Sequence, residues 1–363
     1  MTDSTGPTAP APAGDPAPGG VRPKGRGRFG LLAGLVIAAV AIWSGVWAYA
    51  RQTLAEAVET QLAALADNGL VLGCADRSIV GYPFRLELRC ARFTVEDRRS
   101  GATADLGPGR GVALLYRPNH IILEFDGPGT ATDPRGGTLL ASWRLLQASL
   151  RFSDGVLTRA SLAVDGLDGR FEGPGLQSVA VKATHAEIHG RPETPDAGFD
   201  LAADIRAGSL VVDGRRIGPE AVDLTADTEL VRLPPEAEPG LPAFLAAWAA
   251  NDGRLDIRSI RLASGKLAVE GRGAMALEQT GLLTGMLKLV ATGLESVNDP
   301  KATGASPPAD LAVMASGFLL FGKPVKEGPV PGRSIDFVIE QGRMKLGAAP
   351  LGRLPPLFRP PQG

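Results

Sequence analysis

The sequence predicts a mainly β protein: an elongated, largely antiparallel, meandering sheet with a few helices, preceded by one N-terminal transmembrane helix. Three observations carry that prediction. Beyond residue 69 the apolar residues fall in short runs that alternate with a period of two, as in "FRLELRC" at 84–90, the spacing of a half-buried strand. Glycine, at 47 of 363 residues, and proline, at 30, punctuate those runs as turn residues do. Residues 29–50, by contrast, form a long apolar stretch without a single charge.

Apolar residues make up 44% of the chain and aromatics only 5%, so the core must rest on Val, Leu, Ile and Ala. The formal net charge of −1 argues against a nucleic-acid partner, because phosphate binding needs a clustered excess of Lys and Arg.

Taken in order, residues 1–28 are rich in Pro, Ala and Gly, have little to bury and are expected to form a disordered cytoplasmic tail. The tail ends in Arg22, Lys24, Arg26 and Arg28. At about 1.5 Å per residue, residues 29–50 are long enough for a bilayer core of about 30 Å. Trp43, Trp47 and Tyr49 crowd the far end, as interfacial aromatics do. The basic cluster keeps the N-terminus inside, so everything after residue 50 is expected outside. Ala48-Tyr49-Ala50 resembles a signal-peptidase site, and cleavage there is the rival reading. An apolar region longer than the usual about 7–15 residues favours an uncleaved anchor. In residues 51–68, Leu54, Ala57, Val58, Leu62 and Leu65 recur at helical spacing before Asn68-Gly69, a left-handed stop. Residues 69–363 are then the β-rich body, as one unit or as two lobes meeting near 232–242.

Cys74 and Cys90 are the only cysteines. In an oxidising compartment such a pair forms a disulfide. The spacing fits no zinc pattern, and a redox pair is more often C-x-x-C. Between the thiols, Tyr82-Pro83 reads as a bend and Phe84, Leu86, Leu88 and Cys90 as one strand face, with Phe84 and Leu86 anchoring the strand to the core. Arg85, Glu87 and Arg89 take the other face. Further strand-like runs begin at 112, 120, 143, 156, 178, 199, 210 and 221, and helices are predicted at 241–250 and 307–321. "LRFSDGVL" at 150, "NDGRLDI" at 251, "IRLASGKL" at 260 and "EQGRMKL" at 340 each read as strand, tight turn, strand, the glycine accepting positive φ.

Catalytic patterns are not found. His185 and His189 could share a metal on a helix, but their surroundings alternate, and on a strand they lie roughly 13 Å apart. "GPGRG" at 107, "VDGLDGR" at 164 and "GRG" at 271 read as turns rather than phosphate or calcium loops. No P-loop or Gly-x-Ser-x-Gly is present, and no cofactor is expected.

The combination of tail, single span, helix and a Cys…Gly-[Tyr/Phe]-Pro-Phe-Arg…Cys signature resembles an uncharacterised family of Gram-negative, mostly alphaproteobacterial, membrane-anchored envelope proteins, a domain of unknown function. The matching residues are Cys74, Gly81, Tyr82, Pro83, Phe84, Arg85, Leu86 and Cys90, and "EQGRMKLGAAPLGRLPPL" at 340–357 looks like that family's ending. The strand–glycine–strand phrasing of 251–277 is similar, in style and topology rather than motif, to AsmA-like envelope proteins. That likeness implies placing or moving lipids between membranes.

The expected protein is therefore non-enzymatic, anchored in the inner membrane through residues 29–50, with a periplasmic body that binds or transfers a lipid or other amphiphile in a β-sheet groove. Arg85 and Arg89 are candidate contacts for lipid phosphate. An envelope assembly scaffold recruiting protein partners through sheet edges or the apolar residues 317–322 is the alternative, and a hydrolase acting on envelope polymers is the second. A concave apolar lining would favour the first of the three.

Overall fold

The computed structural model describes residues 26–175, 177–192, 198–234, 240–298, 309–325 and 331–358. The expected disordered tail, up to residue 25, and the Pro-rich 235–239 lie outside the described residues. The chain divides into two compact units, residues 1–50 and residues 51–363.

Helix α1 (Arg26–Asp67) is continuous over 42 residues. In its first part Phe29, Leu35, Ile37 and Ile42 are all at least 60% exposed, an apolar surface whose natural solvent is lipid. This is a helix long and apolar enough to cross a membrane, which suggests a membrane anchor. Further on, Leu54, Val58, Leu62 and Leu65 are half-buried, whereas Ala57 is exposed. The helix stops as the sequence implies: the Asn68 side-chain amide donates to Ala64 O at 2.9 Å, and Gly69 takes φ +84°, where a Cβ would be strained.

The body is one large antiparallel sheet whose strands pair mostly with their neighbours in sequence. The first ten strands are the halves of five long ones, each interrupted midway: β1 (Leu70–Ala75) and β2 (Ser78–Val80), β3 (Arg85–Cys90) and β4 (Arg92–Asp97), β5 (Ala102–Leu106) and β6 (Gly109–Leu114), β7 (Arg117–Phe125) and β8 (Gly129–Thr132), β9 (Thr138–Ser142) and β10 (Leu145–Ser153). The pairing keeps the halves separate. β2, β3, β6, β7, β10 and β11 (Val156–Glu172) follow one another on one side of the interruptions. β1, β4, β5, β8, β9 and the far half of β11 do so on the other. The interruptions thus line up as a crease between a major and a minor limb. Gly107-Pro108 and Gly127-Pro128 lie on it, since a proline cannot donate to the ladder.

Three more strands, β12 (Val179–Pro192), β13 (Gly198–Val212) and β14 (Arg215–Val231), cross the same line unbroken. Ala207 marks it in β13 with φ +47° and a shift of register. Only the major limb continues, through β15 (Arg254–Ser264), β16 (Leu267–Leu277) and β17 (Leu283–Thr292). After β18 (Lys323–Val325), β19 (Gly332–Glu340) pairs with β17, and β20 (Arg343–Leu346) and β21 (Ala349–Arg353) close the order. β14 and β15 pair directly, so the strands on either side of 232–242 belong to one sheet.

Two helices lie on the major limb near its C-terminal end. In α2 (Leu241–Ala250), Trp248 is 6% exposed, donates from Nε1 to Val231 O at 3.0 Å, and packs with Leu230, Leu255 and Leu277. In α3 (Ala309–Phe321), Ala315 and Phe318 pack on Ala291, Ile335 and Leu346. Between them Ile257, Met275, Leu287 and Ile339 complete the buried core. Residues 307–308 of the second expected helix lie outside the described residues.

Asp154-Gly155 and Gln341-Gly342 hold positive φ at both turn positions, as hairpin turns of the primed type require. Four expectations are corrected. Asn251-Asp252-Gly253 ends α2 rather than joining two strands: Asn251 N donates to Ala247 O, and its amide donates to Arg232 O and Leu233 O. "VDGLDGR" is not a turn but the middle of β11, and "GRG" at 271 lies within β16. At Gly271 a Cβ would sit 2.8 Å from Leu289 Cδ2, so that glycine serves close approach of side chains. The run at 210 is the end of β13, not a separate strand.

An apolar groove along the crease

Register determines which side chains share a face. On the major limb one face reads Leu86, Leu88, Ala113, Ile121, Leu123, Phe125, then Leu146, Ala148, Leu150, then Leu162, Val164, Ala186, Ile188, Ala203 and Ile205, with every residue paired to another of the set or to glycine. On the minor limb the matching face reads Leu72, Val95, Phe93, Ala104, Leu106, Ala131, Leu139, Phe171, Val179 and Val181. Alternation along each strand, carried across the ladder, makes each of these faces apolar throughout.

The two apolar faces meet across the crease. Phe93 of the minor limb and Phe125 of the major limb have ring centroids 5.4 Å apart. Gly109 leaves room for that packing, since a Cβ there would come within 2.8 Å of the Phe125 ring. Trp143, at the break between β9 and β10, donates from Nε1 to Phe125 O at 2.8 Å. The disulfide between Cys74 and Cys90 joins β1 to β3 across the break before Arg92, with Cα atoms 5.0 Å apart. The limbs are therefore folded toward their apolar sides, forming a groove.

Burial follows from that arrangement. Near the crease Cys90 and Ala183 are each 8% exposed. A few residues out along either limb, Leu139 is 38% exposed, Leu162 44% and Ile188 42%. A cavity of 330 Å³ lies on the minor-limb side, lined by Val95, Ala104, Ala131, Leu139 and Phe171 among others, at the low end of the range for small-molecule sites. Over β14–β20 the same apolar face is covered by α2 and α3.

The outer face of the major limb carries the charges. Glu87 is 1% exposed between its strand neighbours; Arg89 Nε donates to it at 2.7 Å and Arg85 Nη2 lies 3.1 Å away. The hydrogen bond from Arg89, with the charges of Arg89 and Arg85, holds the Glu87 carboxyl below its ordinary range against the opposing effect of burial. Arg258 reaches Asp200 at 2.5 Å, Asp227 at 2.9 Å and Glu229 at 3.0 Å, while Arg191 also donates to Asp200. These carboxylates push the Arg258 guanidinium above its usual value, and the two arginines lower Asp200. His185 Nδ1 donates to Asp165 at 2.7 Å, which raises the imidazole pKa, and His189 Nδ1 pairs with Ser161 Oγ at 2.8 Å. Both histidines are bonded locally. Among the described residues no group of three or more metal-ligating side chains is found.

Of the residues singled out from sequence, Cys74 and Cys90 are bonded to each other, Gly81 takes φ +109° beside a cis Tyr82-Pro83 bond, and Leu86 lies on the apolar face. Phe84 is corrected: β3 begins one residue later, and Phe84 is 61% exposed rather than anchored in the core. Arg85 and Arg89 sit on the face opposite the groove, on either side of Glu87. In the 317–322 region Phe318 is buried while Leu319, Leu320 and Phe321 are exposed. Leu139 and Phe171 were missed; the alternation of Leu167, Gly169 and Phe171 could have found the second, whereas the consecutive apolar residues 139–141 carry no such signal.

A family model described as "Uncharacterized protein conserved in bacteria (DUF2125)" matches residues 47–355. No curated protein matches the chain.

Proposed function

We propose that this chain, which belongs to the DUF2125 family of uncharacterized bacterial proteins, is a non-enzymatic, inner-membrane-anchored periplasmic protein that holds a lipid or other amphiphile in its crease. The observation that supports this most directly is the groove's apolar lining: Leu139, Leu162 and Ile188 remain 38–44% exposed on facing limbs although charged residues take the outer face. Leaving such a row in water forgoes hydrophobic stabilisation of about 25 cal/mol per Å², which an acyl chain would recover. The ion pairs of the outer face also support it, because their carboxylates are engaged with cations rather than arranged around a reacting centre.

The test begins with the full chain bearing a protease site between residues 50 and 51. After cleavage, the released body is analysed for bound amphiphile by mass spectrometry, with L162D/I188D as the groove variant and L140D, on the outer face of the minor limb, as the control. Stoichiometric amphiphile on the wild type and L140D but not on L162D/I188D is expected; a lipid-free, monodisperse wild-type body overturns the reading. In that event the exposed apolar side chains of α3, Val313, Leu319, Leu320 and Phe321, support the scaffold alternative.

A further inference from the structure

The outer face of β14–β19, opposite α2 and α3, holds a concavity of 580 Å³ that the groove does not use, within the range of about 300–1,000 Å³ usual for small-ligand sites. Register assigns its side chains. Val269 and Leu289 pack toward α3, so Glu270, Arg272 and Lys288, which alternate with them, point outward. One outward rung carries Arg261, Glu270 and Ser334. The next carries Ser259 on β15, then Arg272, Lys288 and Asp336. Here β15 is bulged, its register on β16 shifting between Ile257 and Ile260, so Arg258 and Ser259 both line the concavity. A bulge re-aims side chains in this way and is over-represented beside functional sites.

The charges in the concavity are of two kinds. Arg258 is held by Asp200, Asp227 and Glu229, and Arg261 by Glu270. Arg272 and Lys288 stand directly opposite each other on β16 and β17, and both are exposed. Among the described residues neither forms an ion pair, and neither does Asp336, across the ladder from Lys288. Like charges directly opposite on a sheet are destabilising, and here no carboxylate bridges them. The Ser259 and Ser334 hydroxyls, on the strands to either side, make no hydrogen bond among the described residues. Two cations without a counter-ion and two free hydroxyls thus border one concavity.

We propose that this concavity binds a phosphate group, held between the Arg272 guanidinium and the Lys288 ammonium, with Ser259 and Ser334 donating from their hydroxyls. The guanidinium presents a planar fork that matches phosphate oxygens, and the ammonium adds a compact point charge. A tetrahedral oxyanion can offer oxygens to donors arriving from four neighbouring strands, which a planar carboxylate cannot. The phosphates of a soluble ester and of a lipid headgroup share this chemistry. The site lies on the face opposite the apolar groove, so it stands whether or not the groove holds an acyl chain.

The experiment uses the full chain in an uncharged maltoside detergent at low ionic strength, where exposed charges are least screened. Two probes without acyl chains are titrated by calorimetry: inorganic phosphate, and glycerophosphoglycerol as the headgroup of phosphatidylglycerol. Saturable binding at one site per chain is expected, weakened at least tenfold in R272Q/K288Q and unchanged in K182Q, which removes a cation already paired with Asp168. Binding of inorganic phosphate alone assigns the site to a soluble ligand, and binding of glycerophosphoglycerol alone assigns it to a lipid headgroup. Binding of both shows that phosphate itself is read. No saturable binding of either probe, or equal affinities in wild type and R272Q/K288Q, overturns the proposal. K288E, which gives Arg272 an opposite charge across the ladder, should abolish binding while raising the thermal midpoint. A K288E protein that binds phosphate as the wild type does overturns the proposal as well.

Discussion

Replacing Glu87 by glutamine should destabilise the body by about 2 kcal/mol and remove part of its acid sensitivity. Glu87 is 1% exposed and meets Arg89 at 2.7 Å and Arg85 at 3.1 Å. A hydrogen bond to a charged partner contributes about 1.5–3 kcal/mol, and E87Q keeps the volume while presenting one arginine with an amide N–H instead of an oxygen. The loss stays near the lower end because both arginine side chains are 53% exposed and can turn to water. The sign of the pH effect follows from the depressed carboxyl. Its contribution is present above the ordinary value of 4.5 and is lost as pH falls through the lower folded value. Thermal unfolding between pH 7 and pH 3 checks this: the wild type should lead at pH 7, and the two curves should converge on the acid side. D105N, which disturbs the exposed pair of Asp105 with Arg92, should change little. Superimposable E87Q and wild-type curves at every pH would refute the reasoning that the Arg–Glu–Arg arrangement couples to folding.

Two further outcomes are expected. Reducing the disulfide, or making C74S/C90S, should lower stability by about 3 kcal/mol on the loop-entropy estimate for a closed loop of this size, seen as a fall in thermal midpoint on adding dithiothreitol to the wild type and no fall in the variant. D165N should lower the titration midpoint of His185 in NMR spectra, because the hydrogen bond to Asp165 is the first cause of its raised pKa. That bond's stabilisation is present at low pH and is lost as pH rises through the folded midpoint, and an unmoved midpoint would show that the bond does not form in solution.

The faces of the sheet were legible in the sequence, and the crease was not. The alternation of 84–90 correctly assigned Leu86, Leu88 and Cys90 to one side and Glu87 to the other, since side-chain direction depends only on local period. Whether Leu88 lies beside Gly111 or Leu162 beside Ile188 depends on register, which is set between strands. Glycine misled for a related reason. Asp154-Gly155 and Gly271 look alike locally, yet the first bends the chain and the second makes room for Leu289, a difference that exists only once the neighbouring strand is in place. Phe84 was read as core because it continues the apolar alternation, but the turn at 81–84 places it outside the ladder.

The pairing of each strand with the one before it also bears on how the chain is assembled during synthesis. From β1 to β17 every rung joins segments close in sequence, so a chain emerging N-terminus first can extend the sheet hairpin by hairpin without waiting for residues not yet synthesised. The first such hairpin already contains both thiols. Once oxidised, it is a stapled edge onto which the following strands are templated. Only β19 must wait, because the segment bearing α3 separates it from β17, and completion of the C-terminal core is the step that a chain truncated before β19 would be unable to take.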